Sequence, residues 1–365
     1  MKSKVTVGNL PVYQPGKPIE EVKKQYNLKE VIKLASNENP WGCSPAAKEA
    51  MRNEIEHSSL YPDGGSVALN DAVSSFIGVK PEQLIFGAGS DEVILMICRA
   101  FLNPGDETIM ATPTFPQYKH NAAIEGAIIH EVPLKDGVHD LDGMLALVNE
   151  NTKIIWICNP NNPTGTIVNK QAIEKMFSSI PSSCLIVLDE AYSEYIEDED
   201  YADSKELLSQ YPNLIVTRTF SKIYGLAAHR IGFGIGQPDM IRLIQQVREP
   251  FNTTRMAQAA AIAAIEDQAF IKACADSNRM GLIFLQDHFD KMGLKYFPAF
   301  GNFIMVDVKQ PAGQVFESLM RQGIIVRGGH QLGYPTHLRV TVGQPHQNEA
   351  FIKALQEALA SNPVS

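Results

Sequence analysis

Cysteine and positive charge are scarce in this chain, and long apolar runs are absent. Five cysteines stand in 365 residues, at positions 43, 98, 158, 184 and 274. They are scattered and odd in number, with no Cys-x-x-Cys pair. That excludes a disulfide framework and a cysteine zinc site, and it fits buried thiols in a reducing compartment. The nine histidines form no His-Glu-x-x-His and no close pair, so no metal site is expected from them. Bases number 32 against 41 acids, a net charge of −9. A nucleic-acid binder shows a basic excess, so none is expected. The longest apolar run is Ala259–Ile265. A membrane-spanning helix needs about 20 residues, so no span is expected. The first residues lack the apolar core of a secretory signal. The expectation is a cytoplasmic protein.

What is present is an ordinary globular mixture, 44% hydrophobic and 20% charged. It offers too much apolar surface for disorder. The length predicts two domains at roughly 150 residues each. Residues 1–30 are polar and punctuated by Pro and Gly, and read as an arm. From about 45 to 245, short apolar runs alternate with helical patterns. Runs at 84–86, 108–111, 154–158, 185–188, 214–216 and 231–235 are apolar on both faces. Such runs, separated by helices, predict an α/β fold with a mostly parallel sheet covered on both sides. Residues 254–292 are rich in Ala and Met with few breakers, and predict one long helix bridging two domains. Short strands at 294–297, 303–307, 324–326 and 338–342, with helices near 312–322 and 347–360, predict a smaller α/β domain. The resulting division is 1–35, 36–253 and 254–365. The acidic run Glu194–Asp203 reads as a solvated loop.

In an open parallel sheet, ligands bind at the carboxyl ends of the strands. Five runs end in residues suited to chemistry. After 84–86 comes Gly-Ala-Gly-Ser-Asp-Glu, where Ser90 is expected to cap a helix whose free N–H groups suit a phosphate. After 154–158 comes Asn-Pro-Asn-Asn-Pro-Thr-Gly, a rigid loop with projecting amides. After 185–188 comes Asp189-Glu-Ala-Tyr192. A carboxylate there must find a cationic or hydrogen-bonding partner. After 214–216 comes a segment holding Ser221-Lys222 and, further on, Arg230. A partly desolvated lysine near a second cation is a usable amine nucleophile. In the alternating strand at 338–342, Arg339 can grip a carboxylate with its fork. Taken singly, each has a bland alternative: a cap, a turn, a solvated lysine or a surface arginine.

Their combination, in this order on successive strands, resembles the cofactor site of the fold-type-I pyridoxal-phosphate aminotransferases. Lys33-Leu-Ala-Ser-Asn-Glu-Asn-Pro-Trp-Gly42, Tyr61-Pro-Asp-Gly-Gly65, residues 111–118 and Pro250-Phe-Asn-Thr-Thr254 narrow the likeness to the histidinol-phosphate aminotransferases, over residues 8 to 355. The resemblance implies a large cofactor domain with a smaller α/β domain. It implies pyridoxal phosphate on Lys222, with Asp189 at the pyridine nitrogen and Asn162 and Tyr192 at the ring's phenolic oxygen. Phe115 would stack on the ring, where many relatives carry Tyr. The phosphate would meet the N–H groups of Ser90 and Asp91 and the side chains of Ser221 and Arg230. Tyr61 would reach the cofactor of the neighbouring subunit in a homodimer. Arg339, Arg327, Tyr13 and Asn37 would lie at the substrate end.

The implied reaction is transamination of histidinol phosphate with 2-oxoglutarate, giving imidazole-acetol phosphate and glutamate with ping-pong kinetics. Within the same resemblance, an aromatic amino-acid aminotransferase or a lyase or decarboxylase acting on a phospho-amino acid uses the same Lys222 and Asp189. A non-catalytic binding or regulatory module would have lost one of them.

Overall fold

The computed structural model describes residues 3–8, 10, 12 and 16–361. A first short strand, β1 (Ile32–Lys33), leads into the main sheet. That sheet is built from β2 (Leu84–Gly87), β3 (Glu107–Thr112), β4 (Ile128–Pro133), β5 (Thr152–Cys158), β6 (Leu185–Asp189), β7 (Leu214–Thr219) and β8 (Gly232–Ile235). Its order is β2-β8-β7-β6-β5-β3-β4. All neighbours run parallel except β8, which is antiparallel to both β2 and β7. The central strands β5 and β6 are buried almost throughout. That is why they read as continuous apolar runs without alternation.

Helices cover both faces, and the sheet separates two apolar layers. One holds Ile155, Ile157, Leu188 and Val216, the other Ile154, Trp156, Val187 and Ile215. A second sheet carries β9 (Lys295–Tyr296), β10 (Phe303–Asp307), β12 (Arg327–Gly328) and β13 (His337–Thr341). It has its own core around Ile304, Val306, Leu338 and Val340. The short strand β11 (Ile324–Ile325) pairs in parallel with β1 and ties the start of the chain to this second unit.

Two expectations change. The stretch 254–292 is not one helix but two, Arg255–Glu266 and Gln268–Lys291. Asp267 makes the break: its carboxylate accepts from the Phe270 N–H and caps the second helix. The first helix packs with Ala257, Ala260, Ala261 and Ala264 into the large core. The second starts there with Ile271 and Cys274 and ends in the small core with Leu282, Leu285 and Phe289. Residues 1–30 are more than an arm. The helix Ile19–Tyr26 has Val22 wholly buried, in a small cluster with Ala35, Met320 and Ile325. Among the described residues, no helix is long and apolar enough to cross a membrane.

Candidate active site

The carboxyl ends of β5, β6 and β7 meet the loops after β1 and after β7 in one cleft. Asp189 is the last residue of β6, in register with Cys158 of β5 and Thr217 of β7. It is 2% exposed, and burial raises its pKa to about 6. The Tyr118 hydroxyl donates to Oδ2 at 2.5 Å, and the Ala191 N–H donates to Oδ1 at 3.2 Å. Both donors are uncharged, and the charged group that acts most on the carboxylate is the anion Asp91. A buried carboxylate held only by neutral groups leaves room for a positively charged partner.

Lys222 follows β7 in the turn closed by the Gly225 N–H to the Lys222 carbonyl. Its Nζ lies 3.5 Å from the Ser36 carbonyl and 5.5 Å from the centre of the Tyr192 ring. Burial, with Arg339 nearby, lowers its pKa to about 8. Much more of the amine is therefore neutral and nucleophilic near pH 8 than in a solvated lysine. The turn depends on Gly225, which has φ +70°; a Cβ there would collide with the Gly42 carbonyl oxygen.

The asparagine loop divides its labour. Asn159 closes the loop on itself, accepting from the Val168 N–H and donating to the Val168 carbonyl. Asn161 donates to Thr164 and accepts from Thr114. Only Asn162 engages the cleft. Its Oδ1 accepts from Arg339 Nη1 at 2.6 Å, which leaves its amide N–H groups as donors. Tyr192 is oriented in the same manner. Asn37 Nδ2 donates to Tyr192 Oη at 2.9 Å, so the phenol proton stays free to point into the cleft. Burial pushes that phenol's pKa upward, which keeps it protonated. Asn37 has φ 55°, and its Oδ1 accepts from Thr341 of β13.

At the other end of the cleft is a cradle for an anion. The helix Ser90–Phe101 begins after Gly89, which has φ 80°. The expected Ser90 cap is not made: Ser90 is the first helical residue, and no side chain caps this end. The uncapped N–H groups at its start, those of Ser90 and Asp91 among them, suit an anion. Arg230 closes the cradle, donating to Ser221 Oγ at 3.2 Å and to Asp91 Oδ2 at 3.3 Å. A Cβ at Gly89 would come within 2.6 Å of Arg230 Nη2, so only glycine admits the guanidinium there. Phe115 stands at the start of the helix Pro116–Glu125, edge-on to Tyr118 with centroids 5.6 Å apart.

The second unit supplies two arginines. Arg327 of β12 and Arg339 of β13 are directly paired across the strands. Arg339 is 8% exposed, its Nη2 donates to the Ala35 carbonyl at 2.7 Å, and its Nε has no partner among the described residues. Two like charges in register repel, unless an anion lies between or beside them. Tyr61 lies apart from this cleft. It is 78% exposed and stacks on Phe251 at 4.6 Å between centroids. Tyr13 lies outside the described residues.

Tyr118 escaped the sequence reading. It lies one helical turn beyond Phe115, a spacing that puts both on one side of the helix. Also unforeseen was the support behind Asp189. Glu190, fully buried, accepts from Arg218 Nε and Nη2 at 3.0 and 2.8 Å. Tyr201, within the acidic run, donates to the Asn159 carbonyl at 2.6 Å. That run is therefore not wholly a solvated loop.

The fold and cleft define a class I and II aminotransferase, and the model of the family so described matches residues 29–355. The chain is 54% identical over 359 residues to the histidinol-phosphate aminotransferase of Geobacillus sp. (strain WCH70), covering 98% of each. It is 53% identical to that of Bacillus subtilis (strain 168), covering 98% of this chain and all of the other. The chain belongs to the histidinol-phosphate aminotransferase family. A crystal structure of histidinol-phosphate aminotransferase from Sinorhizobium meliloti in complex with pyridoxal-5'-phosphate superposes with a TM-score of 0.91 at 28% identity, covering 99% of this chain and 98% of that one. A Thermus thermophilus aspartate aminotransferase double mutant shares the fold, with a TM-score of 0.84 at 22% identity over 99% of both chains.

Proposed function

We propose that this chain is a pyridoxal-phosphate-dependent aminotransferase of histidine biosynthesis. It passes the amino group of histidinol phosphate to 2-oxoglutarate, giving imidazole-acetol phosphate and glutamate. The observation that carries this reading is one cleft that holds a lysine of lowered pKa, a buried carboxylate without a cationic partner among the described residues, and an uncapped helix start. These residues fit the cofactor: Lys222 would hold its aldehyde carbon, Asp189 its ring nitrogen, Asn162 and Tyr192 its phenolic oxygen, and Phe115 its face. Ser90, Asp91, Ser221 and Arg230 would hold its phosphate. When bound, the group supplies an electron sink for charge developing at the substrate's Cα. The Lys222 amine, once free, would take the proton from that Cα as general base and, as the conjugate acid, deliver it to the cofactor's aldehyde-derived carbon. Arg339 and Arg327 hold the substrate's anionic end, a carboxylate of glutamate or the phosphate of histidinol phosphate. Asn37 steadies Tyr192 at the same end, and Tyr13 belongs to the same group of substrate residues. The aromatic and decarboxylating alternatives gain no support from relatives that share about half of the sequence.

The reading extends to assembly. Tyr61 and Phe251 stack on each other in the open, and Leu60 and Val67 nearby in sequence are exposed as well. This supports a homodimer in which Tyr61 reaches the phosphate of the partner's cofactor. The division at 1–35, 36–253 and 254–365 and a cytoplasmic location complete the proposal. The test is the visible spectrum of purified protein loaded with pyridoxal phosphate, before and after adding histidinol phosphate alone. Loss of the protein-bound cofactor band in favour of a pyridoxamine spectrum is expected. A band untouched by histidinol phosphate but bleached by aromatic amino acids would reject the substrate, and the absence of any band would reject the enzyme.

A further inference from the structure

We propose that Tyr118 is a positioning residue for this reaction. Its phenol fixes the Asp189 carboxylate and keeps it in the ionised form that the cofactor's ring nitrogen requires. One turn of the helix Pro116–Glu125 would then serve the ring twice, with Phe115 on its face and Tyr118 behind its nitrogen. The inference rests on the cofactor reading given above.

The contact is short and dry. Tyr118 is fully buried and donates to Asp189 Oδ2 at 2.5 Å. It is also held against swinging away. Its ring stacks on Trp156, with centroids 4.9 Å apart and planes 12° apart. Trp156 Nε1 donates to Thr108 Oγ1 at 2.8 Å, and Thr108 donates to the Ile154 carbonyl at 2.9 Å. With the Ala191 N–H on Oδ1, each carboxylate oxygen is anchored and the plane of the group is set.

The groups facing Asp189 come from several elements. The helix Ser90–Phe101 contributes the anion Asp91, β5 contributes the Cys158 thiol, β7 contributes Thr217, and the segment after β6 contributes Tyr192. Burial pushes the Cys158 thiol up to about 12 and keeps it neutral. No cation is among these groups, so the phenol is the strongest stabiliser of the charge. Burial and Asp189 itself hold the phenol protonated far above its ordinary range. A neutral donor of this kind lowers the basicity of the carboxylate without cancelling its charge. An arginine or lysine there would neutralise it. In the loaded protein the proton shared between ring nitrogen and carboxylate settles on the more basic partner. A less basic Asp189 leaves it on the ring.

Tyr118→Phe keeps the ring and its stack and deletes only the donor. In cofactor-free protein, the infrared carboxyl band assigned by Asp189→Asn is followed against pH. Its midpoint is expected to rise by about 1–2 pH units, the worth of one hydrogen bond to a charged group. In protein loaded with ring-15N pyridoxal phosphate, the nitrogen resonance moves toward that of neutral pyridine. The kcat falls while the KM for 2-oxoglutarate holds. Trp156→Phe, which keeps the phenol, is expected to leave both spectroscopic readings in place. An unchanged midpoint and resonance in Tyr118→Phe would overturn the proposal, as would an equal shift in Trp156→Phe. Failure of the wild type to take up the cofactor would instead reject the parent reading, while the infrared titration would still report on the phenol.

Discussion

At the scale of single residues, the cleft trades stability for charge. Asp189 has a pKa of about 6 against an ordinary 3.8. A carboxyl whose pKa is raised by folding contributes its stability at low pH and loses it as pH climbs through the raised value. The loss is about 3 kcal/mol, from roughly 2.2 pKa units at 1.36 kcal/mol each. In cofactor-free protein, Asp189→Asn is therefore expected to melt higher than wild type at pH 8, with the gap closing below pH 4. Calorimetry across that range checks it; a variant less stable at pH 8 would show that the carboxylate is better compensated than its partners imply. Lys222 gives a kinetic counterpart. The rate at which cofactor-free protein captures pyridoxal phosphate should climb through pH 8 and level above it, where an ordinary lysine would still be climbing at pH 10. Both residues were legible in the sequence, because each follows a continuous apolar run at the end of a strand. Tyr118 was not: its partner lies 71 residues away on another element. From composition and spacing the asparagines were legible as a group only, and it was the family resemblance that singled out Asn162. Which of them supports the loop and which enters the cleft depends on where Val168, Thr114 and Arg339 fall in space.

At the scale of elements, the ends of β6 and β7 are held from behind. Arg218 of β7, half-buried, pairs with the fully buried Glu190. Arg218→Met leaves Glu190 buried and unpaired, and is expected to cost about 3–5 kcal/mol, read as a shift in the denaturation midpoint. The turn after β7 is equally constrained. Gly225→Ala adds a Cβ against the Gly42 carbonyl, in a backbone region that L-residues avoid. Cofactor uptake should fall at least tenfold, because Lys222 is displaced, and equilibrium dialysis would measure it. The parallel order of the main sheet could be read from alternating apolar runs and helices. The antiparallel β8 could not, since a run of four residues carries no direction. The break at Asp267 was hidden because helix propensity on either side is high, and a single capping carboxylate decided it.

At the scale of the whole molecule, two apolar cores are joined by the helix Gln268–Lys291, which contributes to both. The patch around Tyr61 and Phe251 belongs to this scale, because monomers seldom leave such a cluster to water. Phe251→Asp is expected to move the sedimentation coefficient from dimer toward monomer and to weaken cofactor retention. A variant that remains dimeric with full retention would place the interface elsewhere. The smaller unit was legible from its short alternating strands, but its partnership with the first residues was not. Strands of two residues, such as β1 and β11, leave no periodicity to read. Asn37 draws these levels together. One amide touches the phenol of Tyr192 on the large unit and Thr341 on the small one, two residues from Arg339. Under the proposed reading, an anion pulling on Arg339 would bear through Thr341 and Asn37 on the Tyr192 phenol, and the colour of the loaded enzyme would then serve as an optical gauge of cleft posture.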